Sequence, residues 1–158
     1  MSNIINTVDW GNFNPNQPLA IACDGSSLGN PGASGYGWYH SHQLYGWGGS
    51  KRSTNNSMEL SALASALRVI PSDYSLNLIL DSKYVIDSFT KYIYAWERNG
   101  YITSKGGPVA NKDLIMEIWG LLKPRLKNTE FTWVKGHNGH PLNTQADKLA
   151  TSAARRFV

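Results

Sequence analysis

Leu76-Asn-Leu-Ile-Leu80 is a short apolar run, Asp81-Ser82 ends it, and Tyr84, Val85, Phe89 and Ile93 then recur at helical spacing. The first part predicts a buried strand and the second a helix, with Asp81 at the joint and Ser82 able to cap the helix. Upstream, Leu19-Ala-Ile-Ala-Cys23 is a similar run followed by Asp24-Gly25, which predicts a second buried strand stopping at a turn. Between the two, Tyr36, Trp38, Tyr39, Leu44, Tyr45 and Trp47 mix with glycine and polar residues, as in two meander strands that turn near Ser41 to Gln43. Met58, Leu60, Leu63, Ala64, Leu67 and Ile70 predict a helix that starts near Thr54 and is stopped by Pro71.

Downstream, Gly100, Gly106, Gly107 and Pro108 interrupt the helical pattern over 98–110, and 113–122 restores it. Residues 130–134 alternate as a half-buried strand, 136–141 form a loop, and 143–156 read as a final helix. The order βββαβα, insertion, αβα predicts an α/β fold. Its sheet is five-stranded and mixed, three antiparallel meander strands plus two parallel, with helices on both faces. Residues 1–17, rich in asparagine and without hydrophobic period, read as a flexible N-terminal arm, leaving 18–158 as a single domain.

Composition limits the function classes. The lone Cys23 cannot pair within the chain, and no cysteine and histidine run has zinc-finger spacing, so a reducing, cytoplasmic setting is expected. No segment approaches the roughly 20 apolar residues that span a bilayer, nor is there a secretory leader pattern, so no membrane partner is expected. Fifteen basic residues oppose eleven acidic ones. With four acids set aside as a metal site, the remaining surface would favour a polyanion.

Those four are Asp24 and Asp81, each after an apolar run, Glu59 near the start of the first long helix, and Asp147 in the first turns of the last. Taken singly, each reads as well as a cap, a surface charge or a turn residue. Taken together, carboxylates that converge repel one another unless a cation neutralises them, and hard oxygen ligands favour Mg²⁺ or Mn²⁺. Gly32-Ala-Ser-Gly35-Tyr-Gly37 lacks dinucleotide-fingerprint spacing and leads into a strand, so it is a turn.

The segments Asp24-Gly-Ser-Ser-Leu-Gly-Asn-Pro-Gly32, Thr54-Asn-Asn-Ser-Met-Glu-Leu60, Asp81-Ser-Lys-Tyr-Val85 and Val134-Lys-Gly-His-Asn-Gly-His-Pro141 resemble, in order, the signature blocks of the type I ribonuclease H family. Ala146-Asp147-Lys-Leu-Ala150 completes the set. The resemblance implies the ribonuclease H-like fold and an endonuclease that hydrolyses the RNA strand of RNA/DNA hybrids, leaving 5′-phosphate and 3′-hydroxyl ends. It implies that Asp24, Glu59, Asp81 and Asp147 hold two Mg²⁺ ions, with Mn²⁺ as a substitute, and that His137 assists proton movement or product departure. A monomer without an obligate protein partner is expected.

By the same resemblance, Asn30, Thr54, Asn55 and Asn56 correspond to contacts on the two backbones, and 94–111 to a substrate-binding handle with Trp96, Tyr101 and Asn111 at matching places. Trp96 and Tyr101 are expected to stack on sugars of the DNA strand. This handle departs from the lysine-crowded kind, since only Arg98, Lys105 and Lys112 are basic and Glu97 opposes them. Lys83 stands where a glutamine is common, and could reach phosphate. His140 reads mainly as a loop residue, and His40 and His42 as turn residues. Two other readings stay open: a nuclease of this architecture that acts on DNA, and a nucleic-acid binding module without catalysis.

Overall fold

Among the described residues, six strands and five α-helices follow one another as β1 (Ser2–Ile5), β2 (Leu19–Leu28), β3 (Gly32–Ser41), β4 (Leu44–Ser53), α1 (Asn55–Val69), β5 (Leu76–Leu80), α2 (Lys83–Asp87), α3 (Ile93–Asn99), α4 (Lys112–Leu122), β6 (Thr129–Trp133) and α5 (Pro141–Arg156). The structure is a computed structural model and describes residues 2–5, 9–136 and 138–158. The sheet order is β1-β4-β3-β2-β5-β6. β2, β3 and β4 pair antiparallel, and β5 pairs parallel with β2 on one side and β6 on the other. The five expected strands and their mixed arrangement are therefore present.

Period-two alternation divides the core between the two faces of this sheet. Leu19, Ile21, Cys23, Leu76, Leu78 and Leu80 turn to one side, where they pack with α1 and α4 residues such as Leu63, Leu67, Ile115 and Ile118. Ala22 and Ile79 turn to the other and meet Ala146 of α5. Trp38 adds a directional tie, its indole N–H donating to the Ser65 hydroxyl of α1 at 2.9 Å in the buried interior. Cys23 is fully buried. Burial, reinforced by the nearby Glu59 and Asp24 charges, pushes its thiol pKa far up, so it is a strand residue and no nucleophile.

Four features differ from the sequence reading, the first being that residues 32–37 belong to strand β3 and are not a turn. β2 does not stop at Asp24-Gly25, because β3 continues to pair with it as far as Leu28↔Ala33; the turn comes afterwards. Ser2–Ile5 is no loose arm in its backbone: it pairs antiparallel with β4, from Ser2↔Gly49 to Ile5↔Gly46, and covers an edge that would otherwise expose unpaired amides. Trp10 and Phe13 follow it onto the core, and the Tyr74 hydroxyl donates to the Trp10 carbonyl at 3.0 Å. His40 belongs to β3, its Nδ1 2.9 Å from the Ala20 carbonyl, whereas His42 does occupy the turn. Among the described residues no helix is long and apolar enough to cross a membrane.

α5 lies so close to β3 that glycine is required beneath it. A Cβ on Gly37 would sit 2.6 Å from the Leu149 Cβ and 2.7 Å from the Ala146 carbonyl oxygen, and one on Gly35 would collide with the Ala150 carbonyl and the Ala154 amide. Gly107 has open space around it. Gly37→Ala is expected to cost about 1–3 kcal/mol through overpacking against backbone, and Gly107→Ala to stay within about 0.5 kcal/mol. Denaturant midpoints of the two variants check this; equal midpoints would refute the tight seam.

Candidate active site

Strand register brings the first two acids together. Cys23 pairs with Leu80 at the end of the parallel β2/β5 ladder, so the next residues, Asp24 and Asp81, are neighbours past the carboxyl end of β5. In open α/β sheets that end is where ligands bind. The third acid arrives on α1, whose first turn is set by Thr54: its hydroxyl accepts from the Ser57 amide at 3.2 Å. The helix can approach because residue 25 is glycine. A Cβ there would lie 2.6 Å from the Glu59 amide nitrogen and 2.7 Å from the Met58 carbonyl carbon. Asp24, Glu59 and Asp81 thus offer carboxylate oxygens within 4.8 Å of one another.

Asp147 of α5 completes the wall of the same cleft, about 450 Å³ in volume, with Asn55 and Thr151 beside it. All four predicted acids therefore line one cavity, although the tight cluster comprises three of them.

This cluster is electrostatically costly when no cation is bound. Asp24 is 4% exposed and Glu59 is 8% exposed. Burial pushes the Asp24 carboxyl well above its usual range, with the Asp81 and then the Asp147 charge adding to it; hydrogen bonds from Glu59 and the Gly25 amide, the latter at 2.9 Å, work the other way. Burial also raises Glu59, followed by the Asp24 charge, the hydrogen bond to Asp24 and the Asp81 charge. The contact between the two carboxyls therefore lowers one and raises the other. Glu59 Oε2 remains buried without a hydrogen-bond partner among the described residues. A buried, unsatisfied oxygen among three other carboxylates is a natural ligand for a hard divalent cation.

Of the other predicted residues that are described, Asn55 lines this cleft. The Asn30 side-chain oxygen accepts from the Asn55 amide at 3.1 Å, tying the β2–β3 turn to the start of α1. Asn55 and Asn56 are exposed there, and Thr54 is the cap. Lys83 is exposed at the start of α2. His137 lies outside the described residues. His140 caps α5, its Nδ1 accepting from the Asn143 amide at 3.5 Å, as a loop residue would.

In the handle, α2 passes through a π-helical turn, Ser88–Tyr92, into α3, which ends at Gly100 in a left-handed conformation. Trp96 is half-buried and packs against Tyr92, ring centres 5.8 Å apart. Tyr101 is buried, its ring part of the core, so the expected stacking surface at this position is absent. Tyr92, 51% exposed, is the aromatic that stands outside beside Trp96, and sequence reading missed it. The Asn111 amide donates to the Tyr84 hydroxyl at 3.3 Å, so its side chain is engaged in holding the base of the handle. Glu97 does not oppose the handle's basic residues freely: the Trp119 indole and the Lys123 ammonium each bond it at 2.9 Å, and hold its carboxyl below the usual range.

Ser26, Ser27 and Thr151 were also not singled out, yet they line the cleft. Thr151 carried a signal, since it follows Asp147 by four residues on one helix face.

Residues 16–155 match the family described as RNase H. Ribonuclease H of Tropheryma whipplei (strain Twist) is 42% identical over 143 residues, covering 90% of this chain and 88% of its own. Ribonuclease HI of Neisseria meningitidis serogroup B (strain ATCC BAA-335 / MC58) is 39% identical over 145 residues, 90% of this chain and 99% of its own. Among solved structures, LC9-RNase H1, described as a type 1 RNase H with the type 2 active-site motif, superposes with a TM-score of 0.72 at 25% identity over 90% of this chain and 75% of its own. The matched residues contain every element that builds the acid cleft, and this chain belongs to the RNase H family.

Proposed function

We propose that this chain is an endonuclease that hydrolyses the RNA strand of RNA/DNA hybrids, with 18–158 as its catalytic domain and 94–111 as its handle. The observation that carries the reading is the meeting of Asp24, Glu59 and Asp81 within 4.8 Å, walled by Asp147, in a member of the RNase H family. The donor set is all oxygen, and one buried Glu59 oxygen lacks a partner, so these residues fit divalent magnesium, or manganese in its place. Such ions, when bound in pairs, favour an oxygen nucleophile and offset charge on the departing 3′ oxygen.

The residues of the chain supply the rest. Asp24 and Asp81, fixed by strand register, would hold the metal. Glu59 is brought in by α1 over Gly25, and Asp147 from α5 closes the opposite wall. His137, four residues after Trp133 in the sequence, is proposed to move a proton near neutral pH. Exposed amides at the cleft mouth, Asn30, Asn55 and Asn56, suit contact with 2′-hydroxyls and backbone across a wide minor groove. Trp96 with Tyr92, and the free cation of Lys83, would meet the strands further out. A monomer in the cytoplasm is part of the same proposal, supported by the single, buried, protonated cysteine.

Labelled RNA/DNA hybrid, double-stranded RNA and duplex DNA, each incubated with Mg²⁺, Mn²⁺ or chelator, test the proposal. Cutting of the hybrid's RNA alone, and only with metal, is expected; cutting of duplex DNA with the hybrid left intact would replace it by a DNA nuclease. Asp81→Asn should lower turnover at least about a hundredfold, since a Lewis-acid site contributes several kcal/mol. Undiminished turnover would remove Asp81 from the metal set.

The acid cluster also predicts a pH response of the metal-free fold. A carboxyl whose folded pKa is raised is favoured by folding while protonated, so its contribution is intact below its unfolded pKa and is lost as it ionises. Thermal stability in chelator should fall as pH rises from about 4 toward about 7, where Asp24 gives up its proton. Mg²⁺ should restore much of the loss at pH 7 and little at pH 4. A flat profile in chelator would show that the cluster carries no such stress.

A further inference from the structure

Trp133 ends β6 beside Leu80 in the parallel register, one position before Asp81. Its indole N–H donates to the Asp81 backbone carbonyl at 3.1 Å. Its ring is 47% exposed and carries the Lys83 ammonium 4.6 Å from the centroid. Lys83 and Trp133 line, with Ile86 and Lys91, a groove of about 340 Å³ that shares no residue with the acid cleft. The indole bridges the two, bonding Asp81 of one and forming a wall of the other.

The charges in this groove are not equivalent. Lys91 is paired with Asp87 at 3.5 Å, whereas none of the salt bridges among the described residues involves Lys83. What holds Lys83 is the aromatic face. A carboxylate partner would cancel much of the cation's field, while a ring quadrupole attracts the ammonium and leaves its charge available to an anion. Holding the ammonium over the indole also restricts its freedom before any ligand arrives, so less is lost on binding. A pre-aimed, unneutralised cation two residues from Asp81 suits a phosphodiester next to the one held by the acids.

We propose that Trp133 is a positioning residue for substrate: it directs Lys83 onto a backbone phosphate of the cut strand, adjacent to the scissile one, and pins Asp81 by the same indole. The identity of that strand as RNA rests on the hydrolase reading above. The phosphate contact itself does not.

Binding of a fluorescent RNA/DNA hybrid in Ca²⁺, measured over a salt series with the full chain and with Lys83→Met, Trp133→Leu, Trp133→Phe and the Lys83→Met/Trp133→Leu double variant, tests this. One lost phosphate contact lowers the slope of log affinity against log salt by about one. Lys83→Met should show that loss and raise KM more than it lowers kcat. Trp133→Leu should show the same loss of slope, the double variant no more than either single, and Trp133→Phe, which keeps a ring face, close to the wild-type slope. Trp133→Thr, a good strand former, repeats the test should the leucine variant not fold. A folded Trp133→Leu or Trp133→Thr variant with the wild-type slope would overturn the inference, as would a double variant whose slope falls further. A wild-type protein that cleaves no hybrid would instead overturn the hydrolase reading, and the same slope comparison on plain duplex DNA would still decide the role of Trp133.

Discussion

Mutual repulsion among carboxylates is the constraint around which this molecule is arranged. Four acids reach one cleft from four different elements, and two of them are almost withdrawn from water, where like charges are least screened. Among the described residues nothing that is seen relieves this fully. The amide of Gly25 does so in part, and among the described residues one Glu59 oxygen is left without a hydrogen-bond partner. The fold tolerates the stress because the elements that carry the acids are held by forces that have nothing to do with charge: the β2/β5 ladder, the α1 seat over Gly25 and the packing of α5 on β3. A site assembled under strain of this kind is ready for a cation before one arrives.

Much of this could be read from the residues. Apolar runs ending in Asp24 and Asp81 announced strands, and the rule that ligands gather where parallel strands end gave those acids a common address. The three-and-four spacing that begins at Met58 placed Glu59 at the start of a helix, and Thr54 proved to be its cap. What could not be read depended on pairing at a distance. Asp24-Gly25 looks like a turn locally, yet β3 supplies partners that carry the strand on to Leu28. Ser-Asn-Ile-Ile is too short to signal a strand, and becomes one because β4 needs an edge partner. Tyr101 has the look of an exposed handle aromatic, but its left-handed backbone turns the chain so that the ring is buried. His137, expected to serve the site, lies beyond the described residues.

The segment proposed as the handle carries few cations. Its acid, Glu97, is occupied by Trp119 and Lys123, which leaves Arg98, Lys105 and Lys112 without its opposition. Tyr92 and the half-buried Trp96 pack against each other beside it, and Tyr94 is exposed as well. Aromatic contact is less sensitive to salt than ion pairing, so under the proposed function such a surface would favour short-range fit over long-range attraction.

The glycines of β3 have a bearing on how the protein can change. Because α5 rests directly on backbone at Gly35 and Gly37, no side chain there can be trimmed or rotated to let the helix shift. The position of Asp147 relative to the sheet is thus set by the thickness of the peptide chain itself, the least adjustable dimension a protein has. Substitutions elsewhere can soften loops or repaint surfaces, but the fourth carboxylate keeps its reach only while this spacer stays bare, and lineages that retain the cleft would have little freedom to experiment beneath it.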